Sequence, residues 1–219
     1  IGPGMGVLTQ FLCKKEIDLK LVEIDKDSIL YLTLHYSQLE KNMLEADFLK
    51  LNLQETFGNN FSLIGNFPYN ISSQILFAVF ENKDIIPEVV GMFQKEVAER
   101  VVARKGKRRG ILSVLLQAFY DIEYCFTVDE HVFQPPPKVK SGVIKLKRNN
   151  LEKLPCDEKL FKQIVKAGFN QRRKTLRNAL KAFSLGNELV TTDLLQKRAE
   201  ELSVEDFIII TKVCQKKQK

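Results

Sequence analysis

Four consecutive residues, Asn66-Phe67-Pro68-Tyr69, bring together an amide acceptor, a stiff corner and a flat aromatic face. Asn66 offers a side-chain oxygen that can only accept. Pro68 fixes its own φ, has no N–H, and drives Phe67 into an extended conformation. The carbonyls of such a corner are expected to be free to face a ligand. Tyr69 offers a ring on which a base can stack, typically worth about 1–3 kcal/mol. These groups suit transfer to the exocyclic amine of a purine. That amine is a poor nucleophile because its lone pair is delocalised into the ring. Two acceptors on its hydrogens, the Asn66 side chain and the Pro68 carbonyl, would draw it towards tetrahedral geometry and aim the lone pair at an electrophile. Taken alone, the tetrapeptide is equally compatible with a Pro-Tyr turn capped by Asn.

The flanking sequence shows what must hold these residues. Phe61–Ile64 reads as a short buried strand bounded by Gly65, and 71–80 as a helix with Ser72 or Ser73 near its start. The tetrapeptide is thus expected on a loop leaving the C-terminal end of a strand, where open α/β sheets bind ligands. Earlier, Gly2, Gly4 and Gly6 form a glycine-rich turn leading into a helix over Met5–Lys15. Glycines permit close backbone approach, and a helix N-terminus favours negative groups. A strand over Leu19–Ile24 carries Glu23 near its end and is followed by Asp25, acids about twenty residues on from the glycines, a spacing that suits a ribose diol. Glu23 is the better candidate, since Asp25 or Asp27 could simply cap the helix over Lys26–Tyr36. Asn42–Ala46 reads as a strand ending at Asp47-Phe48, an acid and an aromatic that could meet an adenine or form a capped loop. A strand over Glu88–Phe93 and a helix over Lys95–Ala103 continue the β-α repeat, which predicts a mostly parallel, doubly wound sheet. A helix over Gly110–Tyr120 comes next. Strands over Ile122–Thr127 and Gly142–Arg148 then predict an antiparallel edge. They flank Phe133 to Ser141, stiffened by Pro135, Pro136 and Pro137, with Phe133 a candidate second wall of a base pocket.

The chain has 219 residues, 44% hydrophobic and 28% charged, an ordinary globular balance. No apolar run approaches the ~18 residues that span a bilayer. The four cysteines lack Cys-x-x-Cys spacing and the two histidines are few for zinc. Reduced thiols in a cytoplasmic protein without metal are expected. The turn at Gly2 has no strand feeding it and the chain has no initiator Met, so a preceding segment is expected.

Net charge is +7, unevenly spread. Residues 1–150 carry 19 basic against 18 acidic side chains, and residues 151–219 carry 15 against 9. A near-neutral body with a basic appendage suggests a polyanionic partner, although solubility alone could explain the charge. The boundary is expected near Asn149-Asn150, giving domains 1–149 and 150–219. Beyond it, helices are expected over Asp157–Phe169, Arg172–Phe183, Thr192–Leu202 and Val204–Lys216. Two basic runs stand out: Arg104, Lys105, Lys107, Arg108 and Arg109, and then Arg172, Arg173, Lys174 and Arg177. Arg173, Arg177 and Lys181 would share one helical face.

Taken together, Ile1 to Thr9, Val22 to Asp25, Asp47-Phe48, Asn66 to Ser72, Gln94 to Val97, Phe133 to Ser141 and Phe169 to Thr175 resemble the ribosomal RNA adenine dimethyltransferases of the small subunit. The motifs run in family order over nearly the whole chain. The resemblance implies a Rossmann-like methyltransferase sheet, mostly parallel with an antiparallel edge, plus a small all-helical C-terminal RNA-binding domain. It implies S-adenosyl-L-methionine as cofactor, and as partner small-subunit (16S) rRNA in a 30S pre-ribosomal particle, where two adjacent adenosines of a 3′-terminal hairpin loop are dimethylated by a cytoplasmic monomer. By motif, Gly2 and Gly4 approach the methionine part of the cofactor, Glu23 holds its ribose, Asp47 and Phe48 meet its adenine, and Asn66 lies near the methyl. Asn66 and Pro68 position the target amine, while Tyr69 and Phe133 stack its base. The family also has a first strand and an acidic residue ahead of Ile1. Two alternatives are a non-catalytic assembly factor on the same fold and a large-subunit adenine methyltransferase of the macrolide-resistance type.

Overall fold

The protein is described by a computed structural model over residues 1–185, 189 and 192–215. Contacts divide the chain into two compact units, Ile1–Ala98 with Cys125–Leu146, and Glu99–Tyr124 with Lys147–Lys219. A boundary at 149/150 is a single point in the chain; the contacts interleave instead, because the middle helices bury their apolar residues with the C-terminal ones.

In the first unit, β1 (Leu21–Glu23) and β2 (Met43–Glu45) run parallel, with Leu21 opposite Met43. β3 (Leu63–Asn66) runs parallel to β4 (Glu88–Gln94), with Gly65 opposite Gly91 and Asn66 opposite Met92. That sheet has the order β3-β4-β6-β5, and of β5 (Tyr120–Val128) and β6 (Ser141–Arg148) this unit holds Cys125–Val128 and Ser141–Leu146. Burial alternates along β4, with Val89, Gly91 and Phe93 inside, as a pleated strand requires. Ile1 and Gly2 touch both sheets: the Ile1 nitrogen donates to the Ile64 carbonyl at 3.0 Å and the Gly2 N–H to that of Val22 at 2.9 Å.

The helices of this unit are α1 (Thr9–Leu12), α2 (Lys26–His35), α3 (Leu53–Phe57) and α4 (Ser72–Glu81). In α4 the buried Ile75, Leu76, Val79 and Phe80 obey helical spacing. The helix expected over Met5–Lys15 shrinks to four residues, because positive φ at Gly2, Gly4 and Gly6 keeps the preceding backbone in turns. β3 starts two residues later than expected, so Asn66 is its last residue rather than the first of the loop.

α5 (Lys95–Val102) leads into the second unit, where α6 (Ile111–Gln117), α7 (Glu158–Asn170) and α9 (Val204–Gln215) pack on one another. α6 buries five consecutive residues, Leu112 to Leu116. Asp157 caps α7 through the Leu160 N–H at 2.7 Å. Ser203 and Asp206 exchange reciprocal bonds at the start of α9, a capping box. Two expectations fail here. The helix over Arg172–Phe183 is only α8 (Leu176–Ala179), because the chain turns at Gln171–Lys174 on leaving α7. Arg173, Arg177 and Lys181 therefore do not share a helical face. The helix over Thr192–Leu202 is instead two 3₁₀ turns, Asp193–Gln196 and Ala199–Glu201. Thr192 gives no side-chain cap there, and separate anchors at Leu195, Ala199 and Leu202 are buried.

Candidate active site

The glycine turn is built from backbone that only glycine adopts readily: φ is 60° at Gly2 and 53° at Gly4. The Gly4 N–H donates to Glu23 Oε2 at 3.0 Å, while Glu23 Oε1 accepts from the N–H groups of Ile24 (2.8 Å) and Asp25 (3.1 Å). A carboxylate has about four acceptor positions, so three bonds fix it beside the turn and leave acceptor capacity. A side chain at Gly4 would meet nothing within 4 Å, so the space over the turn is open. A cavity of about 280 Å³ there is lined by Gly2, Gly4, Thr9, Leu21, Ile64 and Asn66. The turn and Asn66 thus share one space. Asn66 is exposed, and among the described residues its amide makes no hydrogen bond.

The corner after Asn66 is held from beneath. Phe67 is only 2% exposed and packs against Phe93, ring centroids 5.1 Å apart. A Cβ on Gly91 would stand 2.3 Å from the Phe67 ring, and one on Gly65 2.8 Å. These two glycines are ladder partners, so β3 and β4 together make the slot for the ring. The Phe67 N–H donates to the Met92 carbonyl at 3.1 Å. The Pro68 carbonyl, expected to be free, accepts from the Ile71 N–H at 3.2 Å and from Ser72 Oγ at 3.0 Å. Both its lone pairs are engaged, by the residue that precedes α4 and by the first residue of α4. The carbonyl of Phe67, next to Asn66, is left free on the corner, since nothing donates to it among the described residues. Tyr69 is half-buried, with its hydroxyl 2.6 Å from Oγ of the buried Ser141, the first residue of β6.

The other expected site residues are less concentrated. Asp25 caps α2, accepting from the Ser28 N–H (2.8 Å) and hydroxyl (2.6 Å), which holds its carboxyl below the usual 3.8. Phe48 is buried and lines a second cavity of about 460 Å³ with Ile1, Leu12, Val22, Phe57 and Ile64. Asp47 accepts from the Leu49 N–H at 3.0 Å and lines neither this cavity nor the one over the glycine turn. Phe133 is half-buried in the proline connection and, among the described residues, makes no ring contact with Tyr69.

The basic residues lie in the second unit. Arg104, Lys105, Lys107 and Arg108 are exposed, and Arg108 pairs with Glu99 at 2.8 Å. Arg109 differs, being 1% exposed, so it does not sit on that surface. Arg173, Lys174 and Arg177 are exposed, whereas Arg172 donates to the Glu200 carboxylate at 2.7 Å. The Glu200 carbonyl also accepts the Gly106 N–H at 2.9 Å. One residue thereby ties together two basic runs that are more than sixty positions apart.

The profile of the ribosomal RNA adenine dimethylase family matches residues 1–216. This chain belongs to that family. A relative from Cytophaga hutchinsonii, ribosomal RNA small subunit methyltransferase A, is 60% identical over 213 residues, spanning 96% of this chain and 83% of the relative. The protein of the same name from Bacteroides thetaiotaomicron is 60% identical over 215 residues, spanning 96% and 80%. Among solved structures, a dimethyladenosine transferase from Plasmodium falciparum matches with a TM-score of 0.79 at 24% identity, over 95% of this chain and 86% of the other. The 23S rRNA methyltransferase ErmE matches with a TM-score of 0.76 at 23% identity, over 98% and 88%. At these identities the two structures establish the Rossmann-like α/β fold. As a member of the dimethylase family the chain is a methyltransferase.

Four residues that shape this candidate site carry no signal of their role in the sequence. Ser72 is legible only as a helix start, and Gly65 only as a strand end. Gly91 sits unremarked in a strand, and Ser141 closes a proline-rich run. Gly65, Gly91 and Ser141 matter through contacts across the sheet, such as the 72 positions between Tyr69 and Ser141, and Ser72 through the way α4 folds it back onto Pro68.

Proposed function

We propose that this chain dimethylates the 6-amino group of two adjacent adenosines in a 3′-terminal hairpin loop of small-subunit rRNA, using S-adenosyl-L-methionine, as a cytoplasmic monomer acting on a 30S precursor. The observation that carries this reading is the single cavity shared by the Gly2–Gly4 turn and the unengaged amide of Asn66. The residues present fit the cofactor. Open space lies over Gly4, and a fixed carboxylate at Glu23 can accept from a ribose diol. Phe48 lies close by as an apolar wall, with Asp47 assigned to the adenine end on motif alone. When bound, the cofactor supplies an electrophilic methyl on a positively charged sulfonium.

The protein's task is then one of positioning. Donor carbon and amine nitrogen must be held about 3–3.5 Å apart and aligned. Asn66 accepts one hydrogen of the target amine through its side-chain oxygen. The second acceptor is assigned to the Phe67 carbonyl, because that of Pro68 is occupied; Pro68 keeps the corner stiff. Tyr69 stacks the base, with Phe133 as the other wall in the bound state. Loop RNA splays out a base cheaply. Arg104, Lys105, Lys107, Arg108, Arg173, Lys174 and Arg177 bind phosphates, with the salt dependence such contacts carry.

The 60% identity to proteins named for the small subunit favours that substrate over the large-subunit alternative. An intact Asn66–Tyr69 corner argues against a purely non-catalytic role. The test is tritiated-methyl incorporation into unmodified small subunits, with calorimetric titration of S-adenosylhomocysteine alongside. Asn66→Ala should abolish incorporation while cofactor affinity changes much less. Near-normal turnover in that variant would refute the role of Asn66, and methyl groups appearing on another nucleotide would refute the substrate.

A further inference from the structure

Among the described residues Arg109 is the largest fully buried side chain, at 1% exposure. Its Nε has no hydrogen-bond partner among the described residues. Burying a cation without satisfying its donors is expensive, so such residues are normally paired or hydrogen-bonded. The charges of Glu205 and Asp206, in the first turn of α9, favour the cation, yet burial still pushes the guanidinium down to about 10. Arg109 also lines a cavity of about 430 Å³ within the second unit, together with Arg104, Lys105, Asp121, Glu205 and Asn149. That volume lies in the range of small-ligand sites.

The chemistry of the lining is two-sided. Arg104, Lys105 and Arg109 supply cationic donors, and a guanidinium fork matches phosphate oxygens. Asp121 and Glu205 supply only acceptors when ionised. Inorganic anions suit the first set and are repelled by the second. A nucleotide carries both kinds of partner, phosphate oxygens for the cations and hydroxyl or amine hydrogens for the carboxylates. We propose that this cavity is a pocket for one nucleotide unit, with its phosphate on Arg109 and its hydroxyl or amine donors on Asp121 and Glu205. The unit is either part of an RNA strand or a free mononucleotide. The strand form rests on the rRNA substrate proposed above, but the pocket is tested without methyl transfer, so the two can fail separately.

The test tracks the Arg109 Nε–H resonance in the ¹⁵N spectrum of the full chain during titration with inorganic phosphate, adenosine monophosphate and a short single-stranded RNA. A saturable shift with the RNA, at concentrations about tenfold below those needed with the mononucleotide, supports a strand site. Equal or tighter saturation by the mononucleotide supports a free-nucleotide site. Because Arg109→Gln could fail to fold, the paired variant Arg104→Gln with Lys105→Gln, both exposed, provides the check. It should weaken the same titration by roughly tenfold at unchanged melting temperature. An Arg109 signal that stays put through millimolar additions of all three, or that moves identically in the paired variant, overturns the proposal.

Discussion

The Tyr69 hydroxyl lies 2.6 Å from the Ser141 hydroxyl, joining the corner after β3 to the start of β6. Ser141 is completely buried, so the bond is shielded from water on that side. Ser141→Ala removes it and leaves a tyrosine hydroxyl to find another partner, at a cost of about 1 kcal/mol. Stability should fall by that amount in denaturant melts. On the proposed stacking role of Tyr69, its ring is then less firmly held, and the KM for RNA should rise several-fold with little change in cofactor affinity. Ser141→Thr, which keeps the hydroxyl, should restore most of the loss. An alanine variant with unchanged RNA dependence would remove Ser141 from the positioning of Tyr69.

The Phe67 ring occupies the space that a side chain at position 91 would need. Gly91→Ala should force the ring out of its slot, an overpacking effect of about 1–3 kcal/mol. In a chain of this size that corresponds to a melting-temperature drop of roughly 2–12 °C. Since Phe67 carries the corner, activity should fall further than stability accounts for when assayed well below the melt. Wild-type activity in Gly91→Ala would show that the corner tolerates a displaced ring.

Arg172 and Arg173 are adjacent in sequence and should behave differently. Arg172 is held by the largely buried Glu200, so Arg172→Ala leaves that carboxylate without its partner and should cost about 1–3 kcal/mol of stability. Arg173 is exposed, and Arg173→Ala should leave the melt unchanged while lowering the slope of log affinity for RNA against log salt by about one. The idea is lost if the two variants exchange phenotypes.

Lys140 lies 2.8 Å from Asp129, across the proline connection. Its hydrogen bond holds the Asp129 carboxyl below 3.8, and Asp129 in turn holds the Lys140 ammonium above 10.5. For the acid, the stabilisation is complete above 3.8 and is lost as pH falls through the depressed value. For the amine, it is complete below 10.5 and is lost as pH rises through the raised value. The pair should therefore persist across the neutral range and open only at the extremes. Lys140→Met should move the Asp129 titration, monitored by carboxyl ¹³C shifts, up towards 3.8. An unmoved titration would assign the depression to the His131 N–H instead.

Local chemistry makes part of this legible. The strand at Glu88–Phe93, the helices starting near Asp157 and Val204, and the Gly2–Glu23 spacing are readable because each rests on a pattern within a short stretch of chain. Asn66 is legible in the same way, from a stiff corner next to an amide. The misjudged features depend on how the chain turns in three dimensions, which a one-dimensional pattern does not show. The Pro68 carbonyl looks free in the sequence, but α4 folds Ser72 back onto it. Arg109 looks like one more surface cation in a basic run, but the chain turns it inward beneath α9. The helix expected after Arg172 has suitable propensity, yet α7 already ends at Gln171, and separate buried anchors hold the segment beyond it.

The exchange of segments between the two units bears on protein engineering. Shortening the chain after Asn149 would leave α6, with its unbroken run from Leu112 to Leu116, stripped of the α7 and α9 surfaces that cover it. The product would be a sticky remnant rather than a minimal transferase. Chimaeras between relatives should therefore transplant 99–124 and 147–219 as a matched set.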